Sequence, residues 1–348
     1  MRLLERIKNA VDSRQPTRFV ARSVRNLFFP ARRFGGRAIS IEATSICNAK
    51  CTFCNYRFGF RKKLIMPPAL FESVATSAVK LGYENLDLTS PGGELFVIKN
   101  VVTLIEVAKK AGFRHIGTYT NGMLLYRHDM ERLLLSGIDA LLISFPGFER
   151  HLFKEIYQVD KYDQFRKSIS QLLEAHRRLG SNVFIVFEPR TYQSLREIEK
   201  SEFYKQVVGR YLNDRIKMTQ PLRVFDTWAD TIKKEDLNPG MKMDVMPLKS
   251  IYPLKNPYLC TRLYILGVCA NGDVRLCNCI HDAAIESEQH DGLYIDNLHQ
   301  HQGLEGLMAA NKAKIDQIRS SFRAGKIPHP CRSCALYLPA DYPVGANT

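Results

Sequence analysis

Residues 38–54 read AISIEATSICNAKCTFC. The apolar, β-branched run Ala38–Thr44 reads as a buried strand of a parallel sheet. It delivers Cys47, Cys51 and Cys54, with three residues between the first pair and two between the second. A loop this short can aim all three sulfurs inward, and three thiolates can hold one face of an iron–sulfur cubane. One iron then has no protein ligand and is open to an external molecule. Two other readings stand beside this one. A zinc site usually takes four ligands and favours paired CxxC units. Three unrelated buried thiols have no reason to cluster in a polar loop with Asn48 and Lys50.

Strands and helices alternate from Ala38 onward. Further strands are expected at Leu86–Thr89, Arg114–Thr120, Asp139–Phe145, Asn182–Glu188 and Ile216–Val224. Helices are expected from Pro67-Pro68 to Leu81, over Asn100–Ala111, Asp129–Leu135 and Tyr162–Leu179, and as one long polar helix over Ser194–Asn213. The order implies an α/β fold, a partial (β/α)6 TIM-like barrel whose ligands lie at the C-terminal strand ends. Three further motifs fall at those ends: Gly92-Gly93-Glu94, Thr120-Asn121-Gly122, and Ser144. Alone, a Gly-Gly pair is an ordinary turn more often than a ligand loop.

The cysteine spacing with an aromatic, Phe53, before the last cysteine resembles the radical S-adenosylmethionine (SAM) superfamily. GGE after the second strand and TNG after the third match motifs of that family. The resemblance implies a 4Fe–4S cluster on Cys47, Cys51 and Cys54 whose open iron chelates SAM. It implies SAM contacts from Phe53, Gly92, Gly93, Glu94, Thr120, Asn121 and Ser144. The reduced cluster would cleave SAM to a radical that takes a hydrogen atom from substrate. One departure stands out: Ser144-Phe145-Pro146-Gly147 replaces the SxDG of many relatives.

A second cysteine set lies downstream. Residues Tyr264–Cys277 read YILGVCANGDVRLC, two β-rich runs around Asn271-Gly272, a strong hairpin signal. A helical stretch over Gly303–Phe322 leads to Cys331 and Cys334 in a CxxC. The arrangement resembles the SPASM/twitch extension of radical SAM enzymes, in its shorter twitch form. That resemblance implies an auxiliary 4Fe–4S cluster on Cys260, Cys277, Cys331 and Cys334, in a small β-hairpin-plus-helix domain. A structural zinc ribbon is the competing reading. Cys269 reads as a small buried hydrophobe. Cys279 could replace Cys277 as ligand or act as a hydrogen-atom donor in catalysis.

The division expected is a basic N-terminal arm over 1–37, a barrel over 38–225, a linker or cap over 226–257, and the auxiliary domain over 258–348. Nine cysteines without a secretory signal argue for reduced, metal-binding thiols in a cytoplasmic protein. The formal charge is +15, and residues 1–40 hold ten Lys/Arg against two Asp/Glu. This amphipathic arm could touch a membrane surface peripherally, or simply pack on the domain with a solvated basic face. No zinc-finger spacing or RNP signature points to nucleic acid. The expected partners are an electron donor such as flavodoxin or ferredoxin and a small polar, anionic substrate. A sugar or aminocyclitol, oxidised or epimerised, is the leading expectation. Peptide modification and a non-catalytic Fe–S or zinc protein are the alternatives. Glu188, Arg190, Tyr192, Gln220 and Arg223 are candidate cavity residues.

Overall fold

The computed structural model describes residues 37–59, 62–228, 231–237, 240, 242–245, 260–278, 292–324, 326–328, 331 and 334. Strands β1 (Arg37–Ile41), β2 (Tyr83–Asp87), β3 (His115–Thr120), β4 (Ala140–Phe145), β5 (Phe184–Pro189) and β6 (Ile216–Met218) stand side by side in chain order. Every neighbouring pair is parallel. The connections carry α1 (Pro68–Lys80), α2 (Val101–Ala111), α3 (Met130–Leu135), α4 (Arg150–Glu155), α5 (Tyr162–Leu179), α6 (Leu195–Lys200) and α7 (Glu202–Gln206). Parallel strands wound in sequence with helical crossovers curl one way, which gives the partial barrel expected.

Strand alternation divides the interior. Ile39, Ile41, Leu86, Ile116, Leu141, Ile143, Ile185 and Phe187 belong to the main apolar core with the helices. The other face carries a small patch of Ala140, Leu142 and Val186, with Tyr119 and Phe184 against it. Beyond that patch, nearer the C-terminal ends, stand Ser144 and Glu188, while Asp87 lies level with Ala140. The barrel thus has a small apolar floor and a polar mouth.

The helix expected over Ser194–Asn213 is broken. Ser194 caps α6 in a capping box with Glu197, and Ser201 accepts from Tyr204 N–H to start α7. A side chain that bonds the next turn's N–H favours a new start over continuation. The sixth expected strand also divides, into β6 and β7 (Val224–Phe225), the latter paired with β8 (Asp244–Val245).

Downstream, β9 (Leu266–Val268) and β10 (Asp273–Leu276) form the expected hairpin, with Gly272 in the left-handed region at its turn. β11 (Tyr294–Asn297) pairs antiparallel with β10. β9 joins β1 in parallel, so the hairpin continues the barrel sheet. Helices α8 (Gly303–Ala310) and α9 (Lys312–Arg323) divide at Asn311, whose amide binds Asp296 and the Leu307 carbonyl. On α8, Glu305 accepts from Ser77 of α1 and pairs with Lys80. No helix among the described residues is long and apolar enough to cross a membrane.

Candidate active site

The cysteine loop leaves β1 and is tied down along its length. Ser45 N–H and the Thr44 hydroxyl donate to the Leu64 carbonyl, Ser45 Oγ donates to the Lys62 carbonyl, and the Tyr56 hydroxyl donates to the Cys47 carbonyl. Beneath it, Lys50 and Thr52 N–H donate to the carbonyls of Tyr157 and Ile156. Cys47, Cys51 and Cys54 are half-buried and lie within electrostatic reach of one another. Burial pushes the Cys47 thiol up to about 12, helped by the charges of Glu94 and Cys54. Burial and the same mutual repulsion push Cys51 well up too, against the nearby Arg190. Thiols held this way give up protons to metal, not to water.

The GGE turn locks onto this loop. Glu94 N–H donates to the Ile46 carbonyl at 2.8 Å. A side chain at Gly93 would collide with the Thr44 carbonyl and crowd the Ile46 carbonyl at 3.2 Å. The close approach that requires glycine is therefore to the cysteine loop itself. The Glu94 carboxylate is buried and accepts from the Thr120 hydroxyl (2.7 Å), Asn121 N–H (2.7 Å) and Phe96 N–H (3.2 Å). Burial raises this carboxyl, while those three donors pull it down. Asn121 Nδ2 donates to Asn48 Oδ1, between the first two cysteines, at 2.7 Å. Gly122 sits at φ +72°, packed on Phe165 and Ile143, and turns the chain after β3. Three motifs far apart in sequence are thus one hydrogen-bonded unit.

Ser144 faces Tyr157, their hydroxyls 3.0 Å apart. Glu188 and Arg190, two of the five candidate cavity residues, join them at the strand ends. Arg190 pairs with Glu188 at 2.7 Å, and the Tyr119 hydroxyl donates to the other Glu188 oxygen at 3.3 Å. The Arg190 guanidinium lies over the rings of Phe53 (5.6 Å) and Tyr119 (5.8 Å). Phe53 stacks on Phe225 at 4.4 Å, and its carbonyl accepts from the Trp228 indole at 3.1 Å. Tyr192 instead donates to Glu155 of α4, and Gln220 and Arg223 are exposed. Tyr119 and Tyr157 carry no motif that marks them as site residues in the sequence; folding brings them to the mouth, where Trp228 of the expected cap also reaches.

Cys260 and Cys277 flank the Leu266–Leu276 end of the hairpin, and that end aligns with Ile39 of β1. They therefore lie toward the end of β1 away from the cysteine loop. Cys277 adopts φ +74°, rare for a residue with a side chain. Its neighbour Asn278 accepts from Arg262 and donates to Asp87, which ties the hairpin to β2. Cys260, Cys277 and Cys331 are buried, Cys334 is half-buried and Cys269 is buried. Cys279 lies outside the described residues, as does the arm over 1–36.

The donor set fits a cubane with three protein ligands. Among the described residues no three Cys, His, Asp or Glu side chains converge on a single-ion site; a cubane, which gives each thiolate its own iron, makes no such demand. A cavity of about 480 Å³ lined by Phe148, Arg150, Tyr162, Arg166, Ser201 and Phe203 opens elsewhere, with no residue of the cysteine loop in its wall.

Residues 41–201 match the model of the radical SAM superfamily. This stretch is a radical SAM domain. The family implies a 4Fe–4S cluster and SAM as cofactors. The chain is similar to proteins named probable GTP 3′,8-cyclase. One from Sulfurisphaera tokodaii is 22% identical over 268 residues, 72% of this chain and 85% of the relative. Another from Saccharolobus islandicus is 24% identical over 269 residues, 71% and 84%. In fold it is similar to Streptococcus suis SuiB bound to precursor peptide SuiA (TM-score 0.55, 16% identity, 93% of this chain and 76% of that one). It is likewise similar to BtrN in complex with AdoMet and 2-DOIA (TM-score 0.51, 14% identity, 90% and 95%). The curated relatives overturn the expected function. They are named for cyclisation of GTP, not for oxidising or epimerising a sugar or aminocyclitol, so the dehydrogenase or epimerase class is withdrawn with it.

Proposed function

We propose that this chain is a radical SAM enzyme acting on a purine nucleotide, of the cyclase type for which its curated relatives are named. The observation that carries the SAM half is the joining of Cys47–Cys54, Glu94 and Thr120-Asn121 into one buried unit at the strand ends. When bound, the cluster and SAM would supply a hydrogen-abstracting radical. Phe53, Gly92, Gly93, Glu94, Thr120, Asn121 and Ser144 are proposed to orient SAM, Glu94 by fixing the turn and Ser144 through Tyr157. The nucleotide half is supported by the relatives and by charge. Arg262 and Arg275 are buried beside the inner face of the hairpin, where an anionic substrate would meet them.

Cys260, Cys277, Cys331 and Cys334 are proposed to hold an auxiliary cluster. The backbone of Cys277 supports it over Cys279: strain at one residue persists where its side-chain direction matters. The units proposed are the barrel over 38–225, a cap over 226–257 that reaches Phe53 through Trp228, and the cysteine-bearing tail over 258–348. A flavodoxin- or ferredoxin-type donor would reduce the enzyme in the cytoplasm, where thiols stay reduced.

Anaerobic reconstitution with SAM, dithionite and GTP tests the reading. The expected result is GTP-dependent 5′-deoxyadenosine and a new nucleotide of unchanged mass, because one hydrogen atom leaves and one electron and one proton return. GTP recovered intact beside 5′-deoxyadenosine would remove the nucleotide half. No 5′-deoxyadenosine from iron-loaded, reduced protein would remove both.

A further inference from the structure

Arg190 and Glu188 are not part of the cysteine, GGE or TNG motifs, yet they end in the same place. Phe53 lies between Cys51 and Cys54, and the Arg190 guanidinium covers its ring while pairing with Glu188 behind it. The Glu188 side chain is 6% exposed and that of Arg190 is 27% exposed. Arg190 Nε is buried with no hydrogen-bond partner among the described residues. The guanidinium is thus placed by ring faces and one carboxylate, and its charge is left facing the cysteine loop.

We propose that the Glu188–Arg190 pair sets the reduction potential of the cluster held by Cys47, Cys51 and Cys54. Reduction adds one negative charge to the cluster. A cation facing it favours the reduced form, a carboxylate disfavours it, and a partly dry mouth strengthens both. Glu188 moderates the effect by neutralising Arg190 from behind, with Tyr119 holding its second oxygen. Arginine suits the role because its planar guanidinium can lie over the Phe53 and Tyr119 rings while pairing with Glu188. These are positioning residues, and the inference rests on the cubane reading of the triplet.

Potentiometric EPR titration of the reconstituted full chain without SAM decides it, with the SAM-responsive signal assigned to this cluster. Glu188→Gln should raise the midpoint and Arg190→Gln should lower it. Each shift should be roughly tenfold in the reduced-to-oxidised ratio, about 59 mV for one electron. Arg190→Gln should act in this direction even if Glu188 then takes up a proton, because the facing cation is gone. Arg190→Lys, which keeps the charge, should stay near wild type. If Arg190→Gln fails to load iron, the upward shift of Glu188→Gln and the unmoved lysine variant carry the test. Midpoints that stay put, or move the same way in both glutamine variants, overturn the inference and leave the proposed function intact. Absence of any SAM-responsive signal in the wild-type chain overturns both.

Discussion

Cys47, Cys51 and Cys54 occupy eight consecutive positions, whereas Cys260, Cys277, Cys331 and Cys334 come from three separated segments. The first set hangs from one strand end and is clamped from outside, by the GGE turn, Asn121 and the Ile156–Tyr157 backbone. The second depends on the tail itself, through a hairpin that joins the barrel edge and a helix docked on α1. A contiguous loop gains its geometry from its neighbours; a dispersed set has to fold its own cysteines together. The second set should therefore be the easier to remove without harming the first.

The largest contrast comes from the ligands. Cys51→Ala should abolish formation of 5′-deoxyadenosine outright. Cys277→Gly should instead separate metal from stability. It removes a proposed ligand but relieves the left-handed backbone at φ +74°, so the apo chain should gain about 1 kcal/mol. Iron should fall from roughly eight to roughly four per chain while SAM cleavage persists. Full iron retention in Cys277→Gly would transfer the ligand role away from this residue.

Next in size is the pair of glycines on which each set leans. A methyl group at Gly93 meets the Thr44 carbonyl, backbone that cannot swing aside. Gly93→Ala should destabilise the chain by about 2 kcal/mol and impair loading of the first cluster. At Gly267 the nearest atom is the Cys277 carbonyl at 3.0 Å, at the end of a hairpin that can give slightly. Gly267→Ala should cost less, about 1 kcal/mol, and affect the second set only. Thermal melts and iron counts on both variants check the order; equal losses would mean that the hairpin is as firmly clamped as the loop.

The same difference governs what could be read in advance. The triplet, GGE and TNG are local runs, and their positions after alternating strands sufficed for the barrel and its mouth. That Glu94 reaches Thr120 and Asn121 was not readable, because it depends on β2 and β3 lying side by side. Tyr157 reads as one more aromatic in the sequence, and its role under the loop arises from the turn after α4. The long helix over Ser194–Asn213 failed because Ser201 offered a second cap, a local signal inside a helical pattern. The substrate class failed for another reason. The tail's cysteines resemble those of several chemistries, and nothing in their spacing distinguishes a sugar from a nucleotide.

The smallest effect lies in the tail, where its strand and helices meet. Asp296 accepts from His301 at 2.9 Å and from the Asn311 amide at 3.2 Å, at the break between α8 and α9. The bond from His301 comes first among the influences that hold the Asp296 carboxyl below its ordinary range, outweighing its partial burial. The folded state therefore prefers the ionised form more strongly than the unfolded chain does. The contribution is in place above about pH 4 and is lost as pH falls through the depressed value. Hydrogen exchange in β11 should accelerate modestly below that pH, and Asp296→Asn should show the faster rate already at neutral pH. The barrel strands β2–β5, which do not depend on this carboxylate, should keep their protection in both experiments. Parallel loss of protection there would mean that the tail and the barrel open as one unit.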